Sequence, residues 1–230
     1  MRLRPAQLAA PAVLALALGV GLSGCGGGGD DDPPPTTADL NGALLAIDDV
    51  PEDYEQGEPT ESSDDDNGVF AGTCFADIVD FEERAGEPQV EARTRFTQTE
   101  ADIPSEISAG VSYYDDEPAL AKAWDGFVAD MSACTSGTTT TEGGATIDLT
   151  LTIDDSVSLE GADDQAEVTM AGTITGGQDS IPITIKAITV RLGHYISTVG
   201  TYDLGKDGSA GDEIGNLTAG QFERVRGLAD

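Results

Sequence analysis

From Thr146 to Tyr202 the chain alternates apolar and polar residues at a period of two, a pattern that strands satisfy and helices do not. Ile147, Leu149, Leu151 and Ile153 lie on one side, with Thr146, Asp148, Thr150 and Thr152 on the other. Ala166, Val168 and Met170 continue the pattern toward Ile174, and Thr175 to Gln178 supply a turn. Ile181, Ile183 and Ile185 share a side, but Ile188, Val190 and Leu192 have the opposite parity, which predicts a β-bulge near Ala187. Gly193 and His194 read as a two-residue hairpin turn into the strand "YISTVGTY". Two earlier segments, Val90-Ala92-Thr94-Phe96 and Ile107-Ala109-Val111-Tyr113, alternate in the same way, with Glu91, Arg93 and Arg95 on the reverse side of the first.

The remaining periodic segments are helical. Thr36 and Asp39 stand at capping-box spacing ahead of Leu40, Leu44 and Ile47, and this helix ends before Pro51. Cys74, Ile78, Phe81 and Ala85 mark a second helix, stopped by Gly86 and Pro88. A third starts near Pro118 with Leu120, Trp124, Phe127, Met131 and Cys134 on one stripe, a spacing that serves a core. Leu217, Phe222, Val225 and Leu228 supply the last, after a polar, glycine-rich loop over 205–215. The stretch 48–73 reads as a long loop. Its "ESSDDDNG" partly matches a calcium-loop pattern, but Ser63 and Cys74 occupy positions that want carboxylates, so a solvated loop is the better reading. Strands and helices do not alternate regularly. The expectation is therefore an α+β domain, an antiparallel sheet of about six strands with helices packed mainly on one face.

Ahead of this domain lie Arg2 and Arg4, an apolar run from Ala9 to Leu22, and Leu22-Ser23-Gly24-Cys25. That is the order of an export signal, and the run is too short for a membrane span of about 20 residues. Leu-Ser-Gly-Cys resembles a bacterial lipobox, which implies cleavage before Cys25 and acylation of Cys25; the alternative is an ordinary signal peptide with a chance cysteine. Residues 1–24 are then a lipoprotein signal peptide, 25–36 a tether of glycine, aspartate and proline that favours extended chain, and 37–230 the folded domain. The address implied is the extracytoplasmic side of the cell membrane, with the membrane as a partner through the lipid on Cys25.

Without residues 1–24 the chain keeps nine basic residues against 43 acidic ones, a formal charge of −34. Nucleic acid is excluded as a partner, because binding it requires Lys and Arg to displace counterions. One histidine and no CxxC pair argue against zinc and haem, no glycine loop is followed by Lys for phosphate, and no metal or cofactor is expected. "DGSAG" at 207–211 has Asp where a nucleophile elbow needs its first glycine. Cys74 and Cys134 each lie on the apolar stripe of a helix and, in an oxidising compartment, are expected to pair; a redox thiol or unpaired core thiols are the alternatives.

The lipobox and spacer, "LLAIDDVPEDY", the helix at Cys74, "VSYYDDEPALAKAWDGFVADMSAC" and "ITIKAITVRLGHYISTV" together resemble actinobacterial lipoproteins with a PknH-like domain, the extracellular sensor domain of certain mycobacterial receptor kinases. The resemblance implies an α+β domain with a groove that receives a ligand, and no catalysis. Such domains carry a second cysteine pair in their last two long strands, where this chain has none around 183–187 and 200–205.

The function expected is a non-catalytic, lipid-anchored binding or sensor module for a small ligand or a partner segment. The alternatives are a surface hydrolase using two carboxylates, and a structural envelope lipoprotein working through protein contacts. Arginines are scarce here, so a polar groove lining is sought at Arg93, Arg95, Tyr113, Tyr114 and Arg191. The plainer account is that these arginines neutralise neighbouring carboxylates on an exposed sheet.

Overall fold

A computed structural model describes residues 33–57, 73–75, 81–98, 105–141, 143–154, 157–176, 179–205, 211 and 213–229. Cys25, the tether up to Asp32, nearly all of the calcium-loop pattern, Ile78 and residues 207–210 lie outside the described residues. From Pro34 onward the chain forms one compact unit.

Its elements are α1 (Thr37–Ala43), a 3-10 turn (Ile47–Asp49), β1 (Tyr54–Gly57), α2 (Phe81–Ala85), β2 (Val90–Gln98), β3 (Glu106–Tyr113), α3 (Glu117–Ala133), β4 (Ser136–Thr140), β5 (Thr146–Asp154), β6 (Asp164–Gly176), β7 (Asp179–Leu192), β8 (Tyr195–Leu204) and α4 (Ile214–Ala229). The strands form one antiparallel sheet of eight, in the order β1-β2-β3-β8-β7-β6-β5-β4. The five strands β4 to β8 form a meander that closes on β3, and α3 carries the chain from β3 to the far edge. At about 1.5 Å per residue its 17 residues span about 25 Å, which matches five strand spacings of about 4.8 Å.

Eight strands replace the expected six because the two edge strands carry almost no apolar pattern. β4 is "SGTTT", and β1 has Tyr54 as its single buried anchor, inside the segment expected to be a loop. α1 begins as its capping box dictates, with Thr36 Oγ1 accepting from Asp39 N and the Asp39 carboxylate accepting from Thr36 N. It stops at Leu44, a turn sooner than the apolar spacing predicted, and Ile47 is 43% exposed rather than on the buried face.

Helices pack on both faces of the sheet, not mainly on one. On the first face α1 and α4 cover β2, β3, β8 and the end of β7, burying Leu40, Phe96, Ile107, Val111, Ile188, Val199, Phe222 and Val225. On the second, α2 and α3 lie over β5, β6, β7 and β8, burying Leu120, Trp124, Met131, Leu149, Leu151, Val168 and Ile183. The two cores sit over different halves of the sheet. β7 crosses from one half to the other, and this accounts for its change of parity: Ile183 faces the α3 core and Ile188 the α4 core. No bulge is needed, since β7 pairs residue for residue with β6 and β8 through Ala187.

Two ties hold the layers to the sheet. Cys74 and Cys134 form a disulfide, Cα to Cα 5.6 Å, which closes a 60-residue separation and joins the segment before α2 to the end of α3. On the other face the fully buried Gln221 of α4 accepts from Leu45 N at 3.2 Å and donates toward Ser197 Oγ at 3.0 Å, Gly110 O at 3.2 Å and Thr198 O at 3.3 Å. One side chain thus joins α4, the segment after α1, and strands β3 and β8.

Candidate functional site

Because each helical layer covers only half of a face, two parts of the sheet are uncovered by any described helix. The second face of β2 and β3 presents Glu91, Arg93, Arg95, Glu106, Ser108, Gly110 and Ser112. The first face of β4, β5 and β6 presents Ser136, Thr138, Asp148, Thr150 and Thr173.

On the arginine-bearing part, Arg93 Nε donates to the Glu91 carboxylate in its own strand, and Arg95 Nη1 lies 3.6 Å from Glu106 Oε2 on β3. Burial raises the Glu106 carboxyl above its ordinary range, and the Arg95 guanidinium only partly counters this. Beside these pairs the sheet floor is built from Gly110, Thr198, Gly200 and Ala187, successive positions across β3, β8 and β7. Gly200 lies close against β3, where a Cβ would meet Ser108 Oγ at 3.0 Å and require that hydroxyl to shift.

The five residues sought in the sequence do not converge on one groove. Arg93 and Arg95 share this open area. Arg191 lies on the same face but three strands away, roughly 14 Å at about 4.8 Å per strand. Its side chain is 11% exposed and is used up by acids: Nε and Nη2 donate to Asp164 Oδ2 at 2.8 and 2.6 Å, and Nη1 lies 3.5 Å from Asp163. Tyr113 faces the other way, stacked on the His194 ring at 5.4 Å and edge-on to Tyr195 at 5.2 Å. Tyr114 is buried against Phe81 in the α3 core. His194, in its hairpin turn, has Nδ1 2.7 Å from Tyr114 O.

The threonine-rich part holds an open depression of about 580 Å³, lined by Ser136, Thr138, Asp148, Thr150 and Thr173 with backbone from Gly137, Leu149 and Gly172. A Cβ on Gly172 would fall 1.8 Å from the Asp148 carbonyl oxygen, so only glycine lets β6 approach β5 so closely. Thr138 Oγ1 donates to Asp148 Oδ1 at 2.6 Å. Among the described residues the site therefore offers four hydroxyls, each both donor and acceptor, around a single carboxylate.

Sequence reading passed over this site because threonines facing solvent on a strand look like the ordinary polar side of the alternation. The signal available was their density: nearly every outward position of β4 and β5 is Ser, Thr or Asp. Among the described residues no group of three or more His, Cys, Asp or Glu is placed to hold a metal ion.

No family model and no curated protein matches this chain. Among solved structures, the crystal structure of the extracellular domain of PknH from Mycobacterium tuberculosis superposes on it with a TM-score of 0.54 at 13% identity, covering 84% of this chain and 98% of that one. The two chains share a fold.

Proposed function

We propose that this chain is a non-catalytic, lipid-anchored extracytoplasmic binding or sensor module that takes a small polar ligand or an extended segment of a partner protein. The observation that carries this reading is the depression on β4, β5 and β6, where four hydroxyls and one carboxylate converge over about 580 Å³. That inventory recognises a ligand rich in hydroxyl or amide groups, and it supplies no acid and base pair of carboxylates in the separation a glycosidase uses. The shared fold with an extracellular domain supports an extracytoplasmic location. The Leu22-Ser23-Gly24-Cys25 sequence supports the lipid tether. No described helix is long and apolar enough to cross a membrane.

Native and denaturing mass spectra of the full chain, extracted in mild detergent from the envelope of its own host, test both parts. The expected result is an acylated Cys25 and a reproducible extra mass that is lost on denaturation and lost in Asp148→Asn or Thr138→Val. A bare protein mass in the native spectrum overturns the small-ligand reading. An extra mass that survives both substitutions places the ligand elsewhere.

A further inference from the structure

At the end of β8, away from both open faces, the structure buries a carboxylate that no described cation neutralises. Asp203 is 0% exposed, and neither of its oxygens has a hydrogen-bond partner. Two further oxygens beside it share this condition. Thr201, two residues earlier on the same side of β8, is 2% exposed with Oγ1 unpartnered. Ser105, which continues the β3 to β8 register opposite Asp203, is 0% exposed, and its Oγ makes no well-aligned hydrogen bond. The Tyr54 phenol completes the group: burial first, and then the charge of Asp203, hold its proton on, and the Ser105 hydroxyl faces it.

Side chains opposite one another across antiparallel strands lie about 5 Å apart, and those two residues apart on one strand about 7 Å. An ion held at about 2.4 Å from each oxygen links oxygens up to about 4.8 Å apart, so it joins the cross-strand pair Ser105 and Asp203 directly and reaches Thr201 where that side chain leans along the strand toward Asp203. Among the described residues, the cation that the strand register brings beside this cluster is engaged elsewhere. Lys186, opposite Thr201 on β7, sends its ammonium to the Gly211 carbonyl at 3.3 Å, and no ion pair joins it to Asp203. A buried carboxylate left alone is costly, and native proteins pair it, protonate it or give it a cation.

We propose that Asp203, Thr201 and Ser105, with the Tyr54 hydroxyl, form an internal site for a small hard monovalent cation, sodium being the probe. One carboxylate charge is matched by one positive charge, and all the donors are hard oxygens, which suit an alkali ion and not a thiophilic one. The ion would bind only the folded chain, so occupancy raises stability by mass action.

The test is thermal unfolding of the full-length chain at fixed pH and fixed ionic strength, in sodium chloride against tetramethylammonium chloride, whose cation is too large to enter. The expected result is a midpoint higher by about 5 °C or more in sodium. Asp203→Asn should abolish that difference, and the near-isosteric Thr201→Val should reduce it, which keeps the test decisive if the first variant fails to fold. Equal midpoints in the two salts for the unsubstituted chain overturn the proposal. So does a sodium effect of the same size in both variants, which would mark general screening of the acidic surface. Stabilisation by millimolar calcium but not by sodium overturns the monovalent assignment.

Discussion

Replacing Gln221 by methionine tests how the α4 layer is held, because Met keeps the length and volume of the side chain and removes its polar atoms. In the native fold the amide oxygen is the acceptor for the Leu45 N–H, and the amide nitrogen faces Ser197 Oγ, Gly110 O and Thr198 O. The losses are unequal. The two carbonyls lie in the β3 and β8 ladder and the Ser197 hydroxyl can rotate, whereas the Leu45 N–H is left buried without an acceptor. An orphaned buried donor costs about 1–3 kcal/mol, and the bonds of the amide nitrogen, whose acceptors keep other partners or can rotate, together add about 1 kcal/mol, so the substitution should destabilise by about 2–4 kcal/mol. For a domain of this size that lowers the unfolding midpoint by about 4–16 °C.

Gln221→Glu sharpens the test. Its carboxylate still accepts from Leu45 N but turns three acceptors toward a buried negative charge, so its cost should exceed that of Met above pH 6 and shrink as the medium is acidified. Urea unfolding of the three proteins at pH 5 and pH 8 reads all of this. A Met variant within about 0.5 kcal/mol of the parent, the size of a neutral surface change, would refute the assignment of Gln221 as the tie between layers. A Glu variant more stable than Met at pH 8 would refute the orientation of the amide.

Three further outcomes follow from the packing. Cys74→Ser with Cys134→Ser removes a cross-link over 60 residues and should lower stability by roughly 4 kcal/mol on the chain-entropy estimate, measured by urea unfolding against the oxidised parent. Gly137→Ala places a Cβ 2.6 Å from the Phe75 ring and should cost about 1–3 kcal/mol, and Phe75→Leu in the same chain should recover part of it in a double-mutant cycle. Burial first, then the charge of Asp203, pushes the Tyr54 phenol from 10.0 up to about 12, so the folded chain holds this proton more tightly than the unfolded chain. The associated stability is intact below pH 10 and lost as pH rises from 10 to 12. Tyr54→Phe should flatten that part of an alkaline unfolding profile, and an unchanged slope would show that Tyr54 does not contribute to it.

The strands and helices that carry two or more apolar anchors were readable from their spacing. The hairpin at Gly193, whose backbone φ of +53° suits glycine, and the capping box at Thr36 were readable from local chemistry. What escaped was whatever depends on pairing between distant segments. β1 and β4 are strands because β2 and β5 offer them ladders, not because "YEQG" or "SGTTT" prefers extension strongly enough to stand alone. The arginines were singled out for their scarcity, and the structure shows each with acidic neighbours: Glu91, Glu106, and the pair Asp163 and Asp164. In a chain this acidic, that is the cheapest way to lower repulsion. The hydroxyl-lined depression was invisible because it is assembled from β4, β5 and β6, segments whose pairing the spacing of any one of them does not reveal.

The β7 parity switch shows where the period-two argument needs a second premise. A change of face within one strand means a bulge only if a single core lies on a single face, since then an out-of-register apolar residue would point into water. Here Ile183 and Ile185 face α3, while Ile188, Val190 and Leu192 face α1 and α4, so all five are covered without any backbone irregularity. The same offset that removes the bulge leaves the two uncovered sheet faces. A layered domain with helices over opposite halves of opposite faces must expose the complementary halves, and in this chain those halves are polar: arginine and glutamate on β2 and β3, threonine and aspartate on β4 and β5. The position of the candidate site is thus written in the parity of β7. A chain whose β7 kept one parity throughout would put its helices on one side and leave the opposite face open along its whole width, not as two separate polar halves.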